Sequence, residues 1–509
     1  MRLAELLGTW SLAIDLGLGQ PIGHFLNACL LAMRLGESLA LSDDEMKKVY
    51  FLALLRYTGC TAEAHRVAEA FGDDIEANSW IVAVDQTDPA ELLVGLVRRV
   101  GRGRPAGRRV ILATRAVMNL PQLAKDVTAA HCEVAQKMVG RLGFGSDIQA
   151  MLGQSFERWD GKGPRHLKRD AIERPVRVVQ LALDAQLYHR IGGVGAAVEV
   201  ARRRSGGAHD PSIVAAFCAR AHTLLSPPIE GSTWDAVLGA EPRPQTVISG
   251  EDLENSLSAM ADFVDLKSPY LRGHSRGVAR LAGAAAERCR IASVDVAALR
   301  RAALVHDLGR VGVPNCVWDK PGSLTDDEWE RVRLHAYYSE RILSRSNQLA
   351  PLGTLAGLHH ERLDGSGYHR AIGAGMQRMP ARILAAADVY HALTEARPHR
   401  AARSPEAAAA ELRNEVRVGR LDGDAVQAVL EAAGASRQLR PVRVGGLTER
   451  EMDVLRLIAR GHSDRAVAKL LQLSQRTVHH HVEHIYDKID VSTRAGAALY
   501  AMEHNLLEE

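Results

Sequence analysis

The sequence predicts an all-helical protein in which one fold is used twice and followed by a small third domain. Three observations predict it. Apolar residues recur three and four apart, as in RRAALVHDLGR and SPEAAAAELRNEV, with no sustained alternation of period two. Aromatic residues make up only 5% of the chain and alanine is plentiful, which favours helix. Finally, four sequence blocks recur in one order. GHFLNACLLAMRL (from Gly23) aligns with GHSRGVARLAGAA (from Gly273), and ALLRYTGC (53–60) with ALVHDLGR (303–310), both at an offset of 250. Beyond an insertion the offset becomes 204, where HCEVAQKMVGRL (from His131) aligns with HAYYSERILSRS (from His335), and SFERWDGKG (155–163) with HHERLDGSG (359–367). Two constant offsets over four blocks mark an internal duplication.

At roughly 150 residues per domain, 509 residues suggest three or four domains. Two Pro- and Gly-rich stretches, 226–250 and 434–446, read as linkers. They leave domains at 1–225, 251–433 and 447–509. A hydrophobic content of 46% suits packed cores and excludes a mostly disordered chain. A net charge of +3 is too balanced for a chain that coats nucleic acid or membrane along its length. No apolar run approaches the ~18 residues of a membrane span. The opening MRLAELLGTWSLAIDLG carries Glu5 and Asp15 and has no small-residue cleavage site, so it does not read as a signal peptide. Six scattered cysteines without a CxxC pair suit reduced thiols in a cytoplasm.

The second unit concentrates His274, His306, Asp307, His335, His359, His360 and Asp388. Five imidazoles and two carboxylates form a borderline-to-hard donor set suited to Fe, Mn or Zn. Two such ions ~3.5–4 Å apart can activate a water and clamp phosphoryl oxygens. The adjacent His306 and Asp307 cannot share one helix face. They can contact two metals, or approach one from both sides.

HDLGR, HHERLDGSGYH and ARILAAADVYHALTEARPHR, all within 270–400, resemble the HD-GYP subfamily of HD-domain metal-dependent phosphohydrolases. The resemblance implies hydrolysis of cyclic di-GMP or a related nucleotide at a centre of two or three metals. It implies that the seven residues are metal ligands, with Asp307 bridging, and that Arg397 and Arg400 bind substrate phosphate. Guanidinium groups suit that role because they pair bidentately with phosphate. Four positions depart from the family. Its HDxGK lysine is Arg310, which keeps the charge, to stabilise the transition state, but cannot deliver a proton. GYP has become Gly367-Tyr368-His369, and the second carboxylate of ADxxDA is His391. Tyr270 stands where three-metal members have a carboxylate, so two divalent ions are expected.

The first unit resembles a degenerate copy. Arg56 and Tyr57 stand at the positions of His306 and Asp307, and Ser155 and Phe156 at those of His359 and His360. His24 and His131 alone remain, too few for a dinuclear centre. A scaffold or ligand-sensing role is the expectation. Its insertion contains VRRVGRGRPAGRRV (97–110), which reads either as a solvated loop or as an anion or nucleic-acid contact.

The C-terminal domain reads as four short helices. Thr448 and Glu451 form a capping box, and Ser463, Ser474 and Ser492 can start the next three helices. The stretch is similar to the LuxR-type helix-turn-helix, matching at Leu447, Thr448, Glu451, Gly461, Ser474, Thr477, Val478, His481, Ile485, Lys488, Val491 and Arg494. The resemblance implies that Gln475, Arg476, His479, His480 and Glu483 face double-stranded DNA, that Thr477 and Lys488 touch phosphate, and that His481 and Ile485 lie on the core side. The alternative for the triple histidine 479–481, a zinc site, is weakened because the helix already explains the spacing. Residues 441–509 carry a net charge of −1. Phosphate contacts dominate affinity, so a homodimer on paired half-sites is expected. Two functions follow: a DNA-binding regulator with a working metal phosphodiesterase domain, or one whose HD units bind a nucleotide or metal without turnover.

Overall fold

The structure, a computed structural model, describes residues 1–84, 106–226, 231–436 and 444–507. The fold is all-helical: among the described residues no strand forms, and backbone pairs occur only as isolated bridges. The chain folds as two compact units, one of residues 1–60 with 66–253 and the other of 61–65 with 254–509.

The first unit carries α1 (Leu3–Gly17), α2 (His24–Ser38), α3 (Asp43–Leu55), α4 (Ala64–Phe71), α5 (Asp74–Ile81), α6 (Ala106–Arg141), α7 (Ser146–Leu152), α8 (Arg174–Arg203), α9 (Pro211–Leu224) and α10 (Thr233–Gly239). Its starts are chemically marked. Ser42 and Glu45 close a capping box on α3, whose first turn is acidic, which suits the helix dipole. Within the expected linker 226–250, residues 227–230 lie outside the described residues and a short helix forms beyond them. Ser232 and Asp235 form a capping box that starts α10. Trp234 fills the space over Gly8, where a Cβ would lie 2.9 Å from its ring, and Tyr50 Oη donates to Val237 O at 3.0 Å. Leu3 N and Ile248 N then bond Thr246 O and Met1 O, both at 2.8 Å. Its Pro and Gly content suggested exposure, but the capping box and Trp234 dominate. Residues 97–105 of the basic run lie outside the described residues; α6 starts at Ala106.

The second unit carries α11 (Gly250–Asp265), α12 (His274–Arg288), α13 (Ser293–Val305), α14 (Asn315–Trp318), α15 (Asp326–Leu343), α16 (Ala350–Ala356), α17 (Met379–Thr394), α18 (Pro405–Arg417) and α19 (Gly423–Ser436). Alanines such as Ala282, Ala285, Ala302, Ala303, Ala386 and Ala387 are fully buried, which lets these helices approach closely. The expected 434–446 linker is entered by α19; its residues 437–443 lie outside the described residues. The same compact unit includes α20 (Glu449–Ala459), α21 (Asp464–Leu471), α22 (Gln475–Ile489) and α23 (Arg494–Glu503). Thr448, Ser463 and Ser474 cap their helices as expected. The fourth helix is capped by Thr493, which accepts from Gly496 N at 3.0 Å, and not by its neighbour Ser492. Adjacent Ser and Thr offer the same cap chemistry, so the sequence could not choose between them.

Several structural devices recur at the two sequence offsets. Gly23 (φ +92°) and Gly273 (φ +84°) both take the left-handed conformation that starts the following helix. Buried Asp15 accepts from Gly23 N and Phe25 N (2.6 and 3.1 Å); Asp265 accepts from Ser275 N and Oγ (both 2.8 Å). A Cβ on Gly59 would lie 2.1 Å from His131 O, and one on Gly309 2.1 Å from His335 O. Buried Glu157 holds Arg165 N and Leu167 N at 2.7 and 3.0 Å, as Glu361 holds Arg370 N and Ile372 N.

Candidate metal centre and DNA-facing helix

The seven expected ligands come from five segments and meet. His274 is the first residue of α12, His335 lies within α15 and Asp388 within α17. His359 and His360 follow α16. α13 stops at Val305; His306 keeps helical angles as its C-cap and Asp307 departs from them (φ −97°, ψ 10°), which is how neighbours in sequence reach one centre. Six of the seven are buried and His360 is nearly so.

Asp307 divides the cluster. Its Oδ2 lies 3.1 Å from His306 Nε2 and 3.6 Å from His274 Nε2; its Oδ1 lies 3.4 Å from both His335 Nε2 and His359 Nε2. Asp388 Oδ1 lies 3.1 Å from His274 Nε2 and 3.7 Å from His306 Nε2, and its Oδ2 lies 3.8 Å from His360 Nδ1. Three imidazoles are oriented alike. The Nδ1 atoms of His306, His335 and His359 each bond the carbonyl three residues back, on Ala303, Val332 and Ala356. That fixes the proton on Nδ1 and turns the Nε2 lone pair inward.

This donor set fits a cation. His306 Nε2 and Asp307 Oδ1 are buried without a hydrogen bond, and Asp307 Oδ2 has the Arg310 guanidinium beside it at 2.9 Å. His335 Nε2 and His359 Nε2 face each other at 3.1 Å although each Nδ1 already carries the proton. Facing lone pairs and unsatisfied buried oxygens are costly unless positive charge lies between them. Burial drives His335 down to about 3 and His360 well below its ordinary value, so both offer lone pairs. Burial disfavours charge on Asp307 and Asp388. Even so, the Arg310 guanidinium holds Asp307 well below the usual carboxylate range.

Arg310 and Arg397 reach this centre. Arg310 Nε lies 2.9 Å from Asp307 Oδ2, with its guanidinium 4.7 Å from the Trp318 ring centroid. Arg397 donates to Glu395 Oε2 at 2.7 Å and to Tyr270 O at 3.1 Å. Arg400 spends NH1 and NH2 on main-chain carbonyls at the end of α17, those of Leu393, Glu395 and Ala392 among them. His369 Nε2 lies 3.2 Å from Glu340, Arg370 pairs with the same carboxylate, and Glu361 accepts from Arg370 N and Ile372 N, which together order the loop. The sequence reading missed Glu395, Glu361 and Trp318. Only Glu395 carried a signal, its position one helical turn after His391.

In α22, Val478, Val482, Ile485 and Ile489 face the core. Gln475, Arg476, His479, His480 and Glu483 are exposed, as is His484, which the sequence reading left out. His481 is half-buried. Thr477 N donates to the capping Ser474 Oγ at 3.0 Å. Lys488 bonds both oxygens of Glu451, at 2.8 and 2.7 Å, tying α22 to α20. The loop before α12 meets the same domain: Arg272 donates to Ala459 O, the last residue of α20, at 2.6 Å.

Comparison with known proteins agrees with this geometry. A sequence profile described as "HD domain" matches residues 258–425, and one described as "Bacterial regulatory proteins, luxR family" matches 446–501. The 3'3'-cGAMP-specific phosphodiesterase 3 of Vibrio cholerae serotype O1 is 30% identical over 413 residues, covering 79% of this chain and 88% of that protein. The cyclic di-GMP phosphodiesterase response regulator RpfG of Xanthomonas campestris pv. campestris is 35% identical over 159 residues, 31% of this chain and 42% of that one. The crystal structure of a cyclic GMP-AMP specific phosphodiesterase of V. cholerae (V-cGAP3) superimposes with a TM-score of 0.59 at 26% identity, covering 85% of this chain and 98% of that chain. Among the described residues no helix is long and apolar enough to cross a membrane. The chain belongs to the HD-GYP family of metal-dependent HD-domain phosphodiesterases and carries a helix-turn-helix domain of the luxR family at its C-terminus.

Proposed function

We propose that this protein is a cytoplasmic, homodimeric transcription regulator whose second unit hydrolyses a cyclic dinucleotide, cyclic di-GMP or 3'3'-cGAMP, at two divalent metals. The observation that carries this reading is the division of the ligand cluster by Asp307, one oxygen toward His274 and His306 and the other toward His335 and His359. His274, His306 and Asp388 would hold one ion and His335, His359 and His360 the other, with Fe or Mn favoured and Zn possible by donor type. Such a pair supplies Lewis acidity and a low-pKa water. Arg310 and Arg397 bring fixed positive charge to the phosphoryl oxygens, which stabilises the charge that develops there. Arg400, whose donors go to main-chain carbonyls, orders the turn that carries Arg397. The first unit is a degenerate copy that serves as scaffold or ligand sensor.

DNA is bound by α22 through Gln475, Arg476, His479, His480 and Glu483, with Thr477 and Lys488 near phosphate. The net charge of −1 over 441–509 makes paired domains on half-sites about 10 bp apart, or a multiple, the working form. Arg476→Ala should weaken binding to its operator roughly 10- to 100-fold in a mobility-shift titration. One observation favours binding without turnover: Arg310 already pairs with Asp307, where the lysine of other family members is replaced. A single assay separates the two. The chain loaded with Mn or Fe is given cyclic di-GMP or 3'3'-cGAMP beside an Asp307→Ala control. Metal-dependent turnover lost in the control supports the enzyme; tight binding of an intact nucleotide overturns it in favour of the sensor.

A further inference from the structure

We propose that Glu395 is a positioning residue that turns His274 toward the metal centre and holds Arg397 for the substrate phosphate, replacing the carboxylate that His391 displaces. The proposal rests on the reading of the second unit as a metal phosphodiesterase.

His274 is unlike the other ligand histidines. His306, His335 and His359 place Nδ1 on the carbonyl three residues back. His274 starts its helix, and the corresponding carbonyl, Leu271 O, accepts from its own main-chain N–H at 2.9 Å. Its Nδ1 instead meets Glu395 Oε2 at 2.9 Å. A carboxylate there fixes the Nδ1–H tautomer, aims Nε2 at Asp388 and Asp307, and makes the ring a stronger donor to metal than a carbonyl would. The same oxygen accepts from Arg397 at 2.7 Å, so one group sets both a ligand and a phosphate-facing cation.

His391 is shaped into the same arrangement. A Cβ on Gly277 would lie 1.8 Å from its Nε2, so the ring rests on the backbone of α12. Its Nδ1 faces Glu395 Oε1 at 3.2 Å, and its ring stands edge-on to His274 at 5.3 Å. The carboxylate absent at 391 is thus restored four residues later, by the extended residue that ends α17.

His274, His391 and Glu395 could also be read as a third metal site. The guanidinium of Arg397 argues against it, since it already places a cation on the oxygen that His274 shares.

The test uses the full chain as wild type, Glu395→Gln, Glu395→Asp and Asp307→Ala. Equilibrium dialysis with metal analysis gives Mn count and affinity, and steady-state hydrolysis of the dinucleotide gives KM and kcat. Glu395→Gln should keep the wild-type Mn count, weaken Mn binding roughly 10- to 100-fold, and raise KM roughly tenfold. Glu395→Asp should recover part of both. Loss of one whole Mn per chain in Glu395→Gln would overturn the proposal in favour of a ligand role, as would unchanged Mn affinity and KM. Wild type that binds no more Mn than Asp307→Ala would sink the metal reading itself, and this proposal with it.

Discussion

The two halves of the chain keep the same scaffold and put opposite things at its centre. In the second unit, two buried carboxylates and five imidazoles converge on one centre. In the first, Arg56 occupies the place of His306, with its guanidinium 5.5 Å from the Tyr57 ring and 5.2 Å from the Phe156 ring. His131, the counterpart of His335, turns Nε2 onto Arg56 O at 2.7 Å instead of into an open centre. Phe25, Tyr57, His131 and Phe156 pack ring to ring around it. A centre that needs a cation can thus be satisfied by a fixed one. Once an arginine and aromatic rings supply charge and volume, the metal ligands are dispensable while the glycines and buried acids that hold the helices together are not.

The largest expected effect tests that contrast directly. Asp307→Ala removes the group that both ligand sets face, and should abolish bound metal and cut hydrolysis by about 10³-fold or more. Tyr57→Phe, at the matching position of the first unit, should leave metal content and turnover unchanged. Metal analysis and initial rates on the two variants would break the comparison if Tyr57→Phe lost metal too.

The shared scaffold makes the next prediction. Gly59 and Gly309 each lie against the carbonyl of a matched histidine, with no room for a Cβ. Alanine at either position should destabilise its own unit by about 3 kcal/mol, because backbone cannot yield as a side chain tip does. Only Gly309→Ala should also lose metal, since it sits between Asp307 and Arg310. Thermal unfolding with and without chelator separates the two outcomes; equal metal loss in both variants would mean that the halves are not independent.

How much of this was legible in the sequence depends on how local the cause is. The cluster of seven residues was legible because each sits in a short motif whose spacing is set by one helix or one turn. The caps at Thr448, Ser463 and Ser474 were legible for the same reason. Glu395 carried only its spacing from His391, because its role exists only once α12 and the end of α17 lie together. Arg400 likewise shares a motif with Arg397, yet the fold turns its donors onto helix-end carbonyls. Within the expected linker 226–250, the helix α10 was not legible, because Pro and Gly content outweighed a capping box and a tryptophan whose partner, Gly8, lies far off in sequence.

The smallest effect is an acid sensitivity that belongs to the first unit. Burial, aided by Arg190, holds His24 down to about 4, and burial holds His131 down to about 4 against its bond to Arg56 O. Both are therefore neutral in the folded unit, whereas in the unfolded chain they take up a proton near pH 6.5. Below that pH the unfolded state binds more protons, so the stability they contribute is complete above about 6.5 and is lost as pH falls toward 4. From pH 7 to pH 5 each group should cost about 2 kcal/mol. The transition to follow is the one that chelator does not shift, since the candidate ligand groups among the described residues all lie in the second unit. His24→Phe, beside Phe25 at 5.0 Å, should reduce the fall by about half. An acid response of the variant identical to wild type would mean that the two remaining histidines of the degenerate half are not held neutral. The contrast would then rest on Arg56 alone.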